Sequence, residues 1–129
     1  MNKTLDRTIN LIEALETIND KQKYESLANF RRTVYGFKIL IDVMHSYLND
    51  DKEDLCTKEY LTKRVSSLAS RATIINFIND QISNGTLIAN SSPVDGRIKI
   101  ITPSNQLEND YSEWLEPVSY THLTLPTTD

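Results

Sequence analysis

Apolar residues recur at steps of three and four along most of this chain and alternate with polar ones only in short stretches on either side of residue 94. Over residues 5–19, Leu5, Ile9 and Ile12 stand beside Leu11, Leu15 and Ile18, giving a wide apolar face at helical spacing. A polar break follows at 19–22. Leu27, Phe30, Val34, Phe37, Ile41, Met44 and Leu48 then alternate steps of three and four. The spacing predicts one long helix, or two nearly in line, with Gly36 as a bend. Such a stripe serves either as a dimerisation seam or as a face packed into the chain's own core. For Val34 to Leu48 the second reading is preferred. Residues 49–54 read as an acidic, solvated loop.

Thr57 is placed to cap a short helix holding Tyr60, Leu61 and Val65, its hydroxyl accepting from an unpaired first-turn N–H. Residues 66–69 read as a turn anchored by a buried Leu68. Ser70 is a second N-cap, opening a helix on which Ile74, Ile78 and Ile82 recur every four residues until Asn84-Gly85 stops it. Residues 86–91 and 97–102 predict two strands joined by a hairpin turn containing Pro93 and Asp95-Gly96. On the second strand, Arg97 and Lys99 would form a basic face opposite Ile98 and Ile100. Pro103 ends it, and Ser104 caps a last helix with Leu107, Tyr111, Trp114 and Leu115.

Composition narrows the class. The chain has 129 residues, 39% hydrophobic and 25% charged, enough for one modest core. No run approaches the roughly 20 apolar residues of a membrane span, and no secretory leader is expected at the N-terminus. Cys56 has no partner thiol and is expected to be inert; with no disulfide to form, a cytoplasmic location is expected. His45 is expected to be partly buried and hydrogen-bonded. No carboxylate pair beside a histidine, metal-ligand spacing or phosphate-cradling glycine loop stands out, so neither an enzyme nor a cofactor is expected. The net charge of −4 argues at first against nucleic acid. Its distribution matters more: over residues 57–103, Lys58, Lys63, Arg64, Arg71, Arg97 and Lys99 outnumber Glu59, Asp80 and Asp95 by three.

The predicted order is helix, short helix, turn, helix, β-hairpin, helix. In DNA readers of this kind the second helix of the pair enters the major groove and offers polar side chains at its start. On residues 70–83, Ile74 and Ile78 would face inward, leaving Ser70, Arg71, Thr73 and Asn76 outward, with Phe77 partly buried. Arg71 suits guanine or phosphate, Asn76 suits adenine, and Thr73 suits phosphate or a thymine methyl.

Over residues 34–103 the chain resembles the MarR-type winged helix family. The resemblance rests on Ser70-Arg71-Ala72-Thr73-Ile74, on Gly85-Thr86-Leu87-Ile88 and on Asp95-Gly96-Arg97. It implies that Arg97 points to the minor groove from a wing at about 91–98, oriented by Asp95, with Lys99 on phosphate. It also implies a homodimer formed by N- and C-terminal helices, and an unknown small-molecule effector. The chain departs from the family pattern in a longer turn at 66–69, in Gln81 where a leucine is usual, and in the extra residue Thr86.

The expected fold is therefore mainly α with a small β-hairpin, a winged helix-turn-helix with an N-terminal helical extension. Residues 1–33 would be a helical arm, 34–103 the winged domain and 104–117 the start of a truncated C-terminal helix. Residues 118–129 resemble one reading frame through a transposon-end sequencing adapter and are expected to be a non-native tail. The expected function is a DNA-binding transcriptional regulator. The alternative is a winged helix used for protein–protein assembly without DNA.

Overall fold

The computed structural model describes residues 2–18, 24–49 and 55–127, without the side chains of 17–18 and 117–127. The polar break after residue 18 and most of the acidic loop therefore lie outside the described residues. The elements run α1 (Lys3–Ile18), α2 (Glu25–Ala28), a 3-10 turn (Phe30–Arg32), α3 (Val34–Leu48), α4 (Lys58–Arg64), α5 (Arg71–Asn84), β1 (Leu87–Ser91), β2 (Lys99–Pro103) and α6 (Asn105–Thr127). This is the expected architecture: mainly helical, with α4 and α5 as the helix-turn-helix, an antiparallel hairpin as the wing, and helices added at the N-terminal side.

Of the two readings for residues 27–48, one helix or two, the structure takes two, with a 3-10 turn between them. Thr33 adopts an extended backbone (φ −136°, ψ 157°) and its hydroxyl accepts from the Gly36 N–H at 3.0 Å, so α3 starts afresh. Gly36 is not a bend. A Cβ there would lie 2.8 Å from Thr33 Oγ1, 2.9 Å from the Phe30 carbonyl oxygen and 3.1 Å from Phe77. Gly36→Ala is thus expected to destabilise the chain by about 1–3 kcal/mol through overpacking, outweighing the roughly 1 kcal/mol that alanine gains in helix propensity. Urea unfolding of the two proteins measures the difference.

The buried stripe of α3 also differs from the expected seam. Ile39, Leu40, Val43 and Met44 are at or near zero exposure, whereas Val34 is 72% and Leu48 60% exposed. The helix carries apolar residues on two adjacent stripes, and the core takes the one nearer Leu40 and Val43. His45 lies on the solvent side of the same helix, exposed rather than half-buried. Leu68 is exposed as well. The α4–α5 connection closes with the Leu68 N–H on the Val65 carbonyl at 2.9 Å, and Val65 rather than Leu68 fills the core position.

The capping expectations hold. Thr57 Oγ1 accepts from Tyr60 N at 3.1 Å and Ser70 Oγ from Thr73 N at 3.2 Å. Gly85 takes the left-handed conformation (φ 85°) that ends α5. Gln81 is buried at 3% exposure, and Thr86 Oγ1 donates to its Oε1 at 2.8 Å. The two residues form one device: Thr86 satisfies the polar side chain that Gln81 places in the core.

In the hairpin, Leu87 pairs with Pro103, Ala89 with Ile101 and Ser91 with Lys99. Ile101 and Leu87 are buried on one face, and Lys99 extends that same face outward at the strand's free end. Arg97 and Ile98 precede β2 rather than forming part of it. They lie in a turn closed by the Ile98 N–H on the Asp95 carbonyl at 3.0 Å. Gly96 does not use positive φ, so this is not the primed turn typical of two-residue hairpins. Ile101 N also donates to the Cys56 carbonyl at 2.7 Å, seating the segment before α4 along β2 with Cys56 buried.

α6 ties the N-terminal helices to the winged part. Trp114 Nε1 donates to the Ala14 carbonyl at 2.6 Å, and its ring meets Phe37 edge-on. Ser26 Oγ donates to Asp110 Oδ2 at 2.7 Å. The helix continues through Pro117 to Thr127, so the backbone stays helical through most of the adapter-like segment. Among the described side chains of α1 only Ala14 is buried; Leu5, Ile9, Leu11, Ile12 and Leu15 leave an apolar face uncovered.

Candidate nucleic-acid interface

α5 places the outward residues by simple rotation, at about 100° per residue. Ile74, Ile78 and Gln81 mark the buried direction. Directly opposite lie Ala72, Asn76, Asn79 and Ser83, all exposed. Asn76 therefore sits at the centre of the exposed face, as expected. Asn79 and Ser83 share that face and were not singled out from sequence, although the same rotation would have found them. Thr73 lies at one edge of that face, whereas Arg71, in the first turn, is rotated well away from it, toward the side of Ile74 and Ile78. Phe77 is half-buried, edge-on to both Phe30 and Tyr35 with centroids 5.6 Å away. Ser70 is occupied as the cap, and its hydroxyl also donates to Thr73 Oγ1 at 2.9 Å.

Arg71 is exposed but not free. Its Nη1 donates to Glu59 Oε2 at 2.8 Å and its Nη2 to Glu59 Oε1, a two-pronged pair reaching from α5 to α4. The bond to Arg71 holds the Glu59 carboxyl below its ordinary pKa, and the bond to Glu59 raises that of Arg71. Sequence reasoning missed Glu59, because no spacing rule links residues on two helices across a turn.

The wing shows a similar clasp. Arg97 donates from Nε to Asp95 Oδ1 at 3.2 Å and from Nη2 to Oδ2 at 3.1 Å, and its backbone N–H reaches Oδ1 at 3.1 Å. These bonds, the side-chain pair first, hold Asp95 below its ordinary pKa. Arg97 is 91% exposed on its side chain, so the clasp orients it without burying it. Ser92 Oγ, itself buried, accepts from the Val94 N–H at 3.2 Å and steadies the wing's start.

Arg64 is committed to a buried carboxylate. It donates to Asp42 Oδ1 at 3.2 Å, while Lys38 Nζ reaches Oδ2 at 2.8 Å; the Asp42 side chain is only 6% exposed. The Arg64 guanidinium also lies 5.9 Å from the Tyr60 ring centre. With Arg64, Arg71 and Arg97 all paired, the local excess of positive charge resides in three lysines. Among the described residues Lys58, Lys63 and Lys99 make no ion pair. All three line one open groove of about 700 Å³ between α4 and the base of the wing, with Glu59 and Ile98 beside them. Lys99 Nζ donates to Ser91 Oγ at 2.7 Å, which leaves its other hydrogens free. The structure thus sets Lys99 in the same groove as Glu59, the partner of Arg71, and adds Lys58 and Lys63 to the candidate set. A second cleft, about 330 Å³, is lined by Arg32, Tyr35, Phe77 and Asp80 among others. No cluster of three metal-ligating side chains occurs among the described residues, and no described helix is long and apolar enough to cross a membrane.

No family model and no curated protein matches the chain. Solved structures similar to it include heme-free PefR, 13% identical, covering 94% of this chain and 99% of that one with a TM-score of 0.47. The heme sensor protein PefR with heme and carbon monoxide is 16% identical, covering 94% of this chain and 80% of that one (TM-score 0.49). The transcriptional regulator BldR from Sulfolobus solfataricus is 16% identical, covering 100% of this chain and 88% of that one (TM-score 0.46).

Proposed function

We propose that this chain binds duplex DNA sequence-specifically as a regulator of transcription, acting as a homodimer. The observation that carries the reading is the gathering of Lys58, Lys63 and Lys99 in one groove beside a polar helix face centred on Asn76. The lysines offer phosphate contacts, which supply affinity without sequence information; the helix offers base contacts, which supply specificity. α5, about 70–83, would enter the major groove with Arg71, Thr73 and Asn76 at the bases and Ser70 holding the helix start. The wing, about 91–98, would lie at the minor groove, where Arg97 held by Asp95 meets the negative potential of narrow AT-rich segments. Lys99 would meet the backbone. The uncovered apolar face of α1 supports pairing of two copies, since so wide a stripe is costly to leave in water.

A second reading, a winged helix used to assemble proteins, is favoured by the carboxylates on Arg71 and Arg97, which neutralise two of the candidate contacts. Titration of the chain into a fluorescent duplex with a random core separates them. A DNA reader binds at low salt with a dissociation constant of roughly 10⁻⁴ to 10⁻⁶ M even without its preferred site. A chain that sediments as a dimer and leaves the duplex free hands the function to the assembly reading.

A further inference from the structure

Glu59 and Arg71 form a two-pronged ion pair that joins α4 to α5. Both oxygens of one carboxylate meet both terminal nitrogens of one guanidinium, across the turn of the helix-turn-helix. A guanidinium presents that two-pronged edge to one partner at a time. The partners that fit it are those with two adjacent acceptors: a carboxylate, a phosphate, or the O6/N7 edge of guanine. Whatever Arg71 contacts end-on in DNA must therefore take the place of Glu59.

The two DNA partners differ in charge. A phosphate that displaces Glu59 sets its own negative charge beside a carboxylate still anchored on α4. A guanine edge is neutral and meets no such repulsion. After the exchange Glu59 keeps Lys63 nearby, whose charge already favours its ionised form. The remaining cations of the groove, Lys58, Lys63 and Lys99, are left to hold the backbone.

We infer that Glu59 is a specificity-determining residue of the DNA interface: by occupying the two-pronged edge of Arg71 it penalises phosphate as a replacement partner and favours guanine. The inference rests on the DNA-binding reading above and adds a residue and a base to it. Glu59 acts through Arg71 and is a positioning residue.

A double-mutant cycle tests it, using the full chain, Glu59→Gln, Arg71→Ala and the double variant. Each is titrated into a random-core duplex, and each is used to select sequences from the same random-core pool. Both side chains are more than half exposed, so all four proteins are expected to fold. Freeing Arg71 should tighten random-core binding about two- to fivefold, the scale of an exposed ion pair. The same substitution should change nothing when Arg71 is already alanine, and the wild-type preference for guanine at one position should flatten in all three variants. Equal tightening in both backgrounds would show that Glu59 acts only as a negative charge. That result, or a guanine preference that survives Glu59→Gln, overturns the inference and leaves the DNA reading standing. If neither the wild type nor Glu59→Gln binds any duplex, the DNA reading fails and the inference with it.

Discussion

Replacing Trp114 with alanine is expected to destabilise the chain by about 3–5 kcal/mol, the range for truncating a large buried aromatic. Trp114 is 6% exposed and is the point where three helices meet. It reaches α1 through the indole bond to the Ala14 carbonyl, α3 through the Phe37 ring, and its own helix through Tyr111 at 6.0 Å. Ala14 is the one described side chain of α1 that is buried, so loss of the indole should free α1 together with its apolar face. Trp114→Phe keeps most of the packing and removes the indole hydrogen bond, a cost of about 1 kcal/mol. Thermal unfolding of the three proteins gives the order wild type, phenylalanine, alanine. An alanine variant as stable as wild type would mean that α1 is not held to α6 in solution.

The double substitution Arg97→Ala, Lys99→Ala should weaken duplex binding about ten- to a hundredfold, with little effect on stability. The two side chains are exposed at the wing and the free end of β2, and their partners Asp95 and Ser91 are accessible to water when abandoned. On the proposed reading Arg97 makes one specific contact in the minor groove, of a kind worth about 1–3 kcal/mol, and Lys99 a weaker, sequence-independent contact on phosphate. Fluorescence anisotropy on an AT-rich duplex measures the change. Arg97→Ala alone should lower the preference for AT-rich over GC-rich DNA, because a narrow minor groove is what draws an arginine. Lys99→Ala alone should weaken both duplexes alike. The Asp95 clasp should not respond to pH near neutrality. A carboxyl whose folded pKa is depressed stays ionised above the ordinary carboxylate range, and its bond to Arg97 is lost only as pH falls through the depressed value. A wing variant that binds as well as wild type would move the interface elsewhere on the molecule.

Much of the fold was legible in local chemistry. Thr57 and Ser70 cap where their hydroxyls fall before an apolar period, and Gly85 ends α5 where only a residue free to take positive φ fits well. The hairpin came from alternation and its turn residues. The misreadings share a cause, which is that sequence gives periodicity but not which of two apolar stripes meets a neighbour. Val34 and Leu48 belong to the regular seam and are exposed, because α3 turns its other stripe to the core. Leu68 is the largest apolar residue of its turn, yet it is exposed, and Val65 one turn earlier is buried instead.

The candidate site was readable by halves. Outward positions on α5 follow from rotation, so Asn76 fell where expected. Long-range partners do not follow from spacing: Glu59 on Arg71, Asp42 on Arg64 and Thr86 on Gln81 each depend on packing between elements. The charge tally treated all six basic residues of 57–103 as equal, whereas the fold commits the three arginines to carboxylates and leaves three lysines together.

The most direct test is the salt dependence of duplex binding by the intact chain, with Lys58, Lys63 and Lys99 each replaced by alanine in turn. A protein that neutralises phosphates loses affinity linearly in log–log salt, with a slope of about −0.9 for each contact on B-DNA. The three lysines predict a slope near −3 or steeper for each bound protomer, and each alanine should make it shallower by about one. Binding that is absent at low salt, or that is present and indifferent to salt and to all three substitutions, would contradict the account.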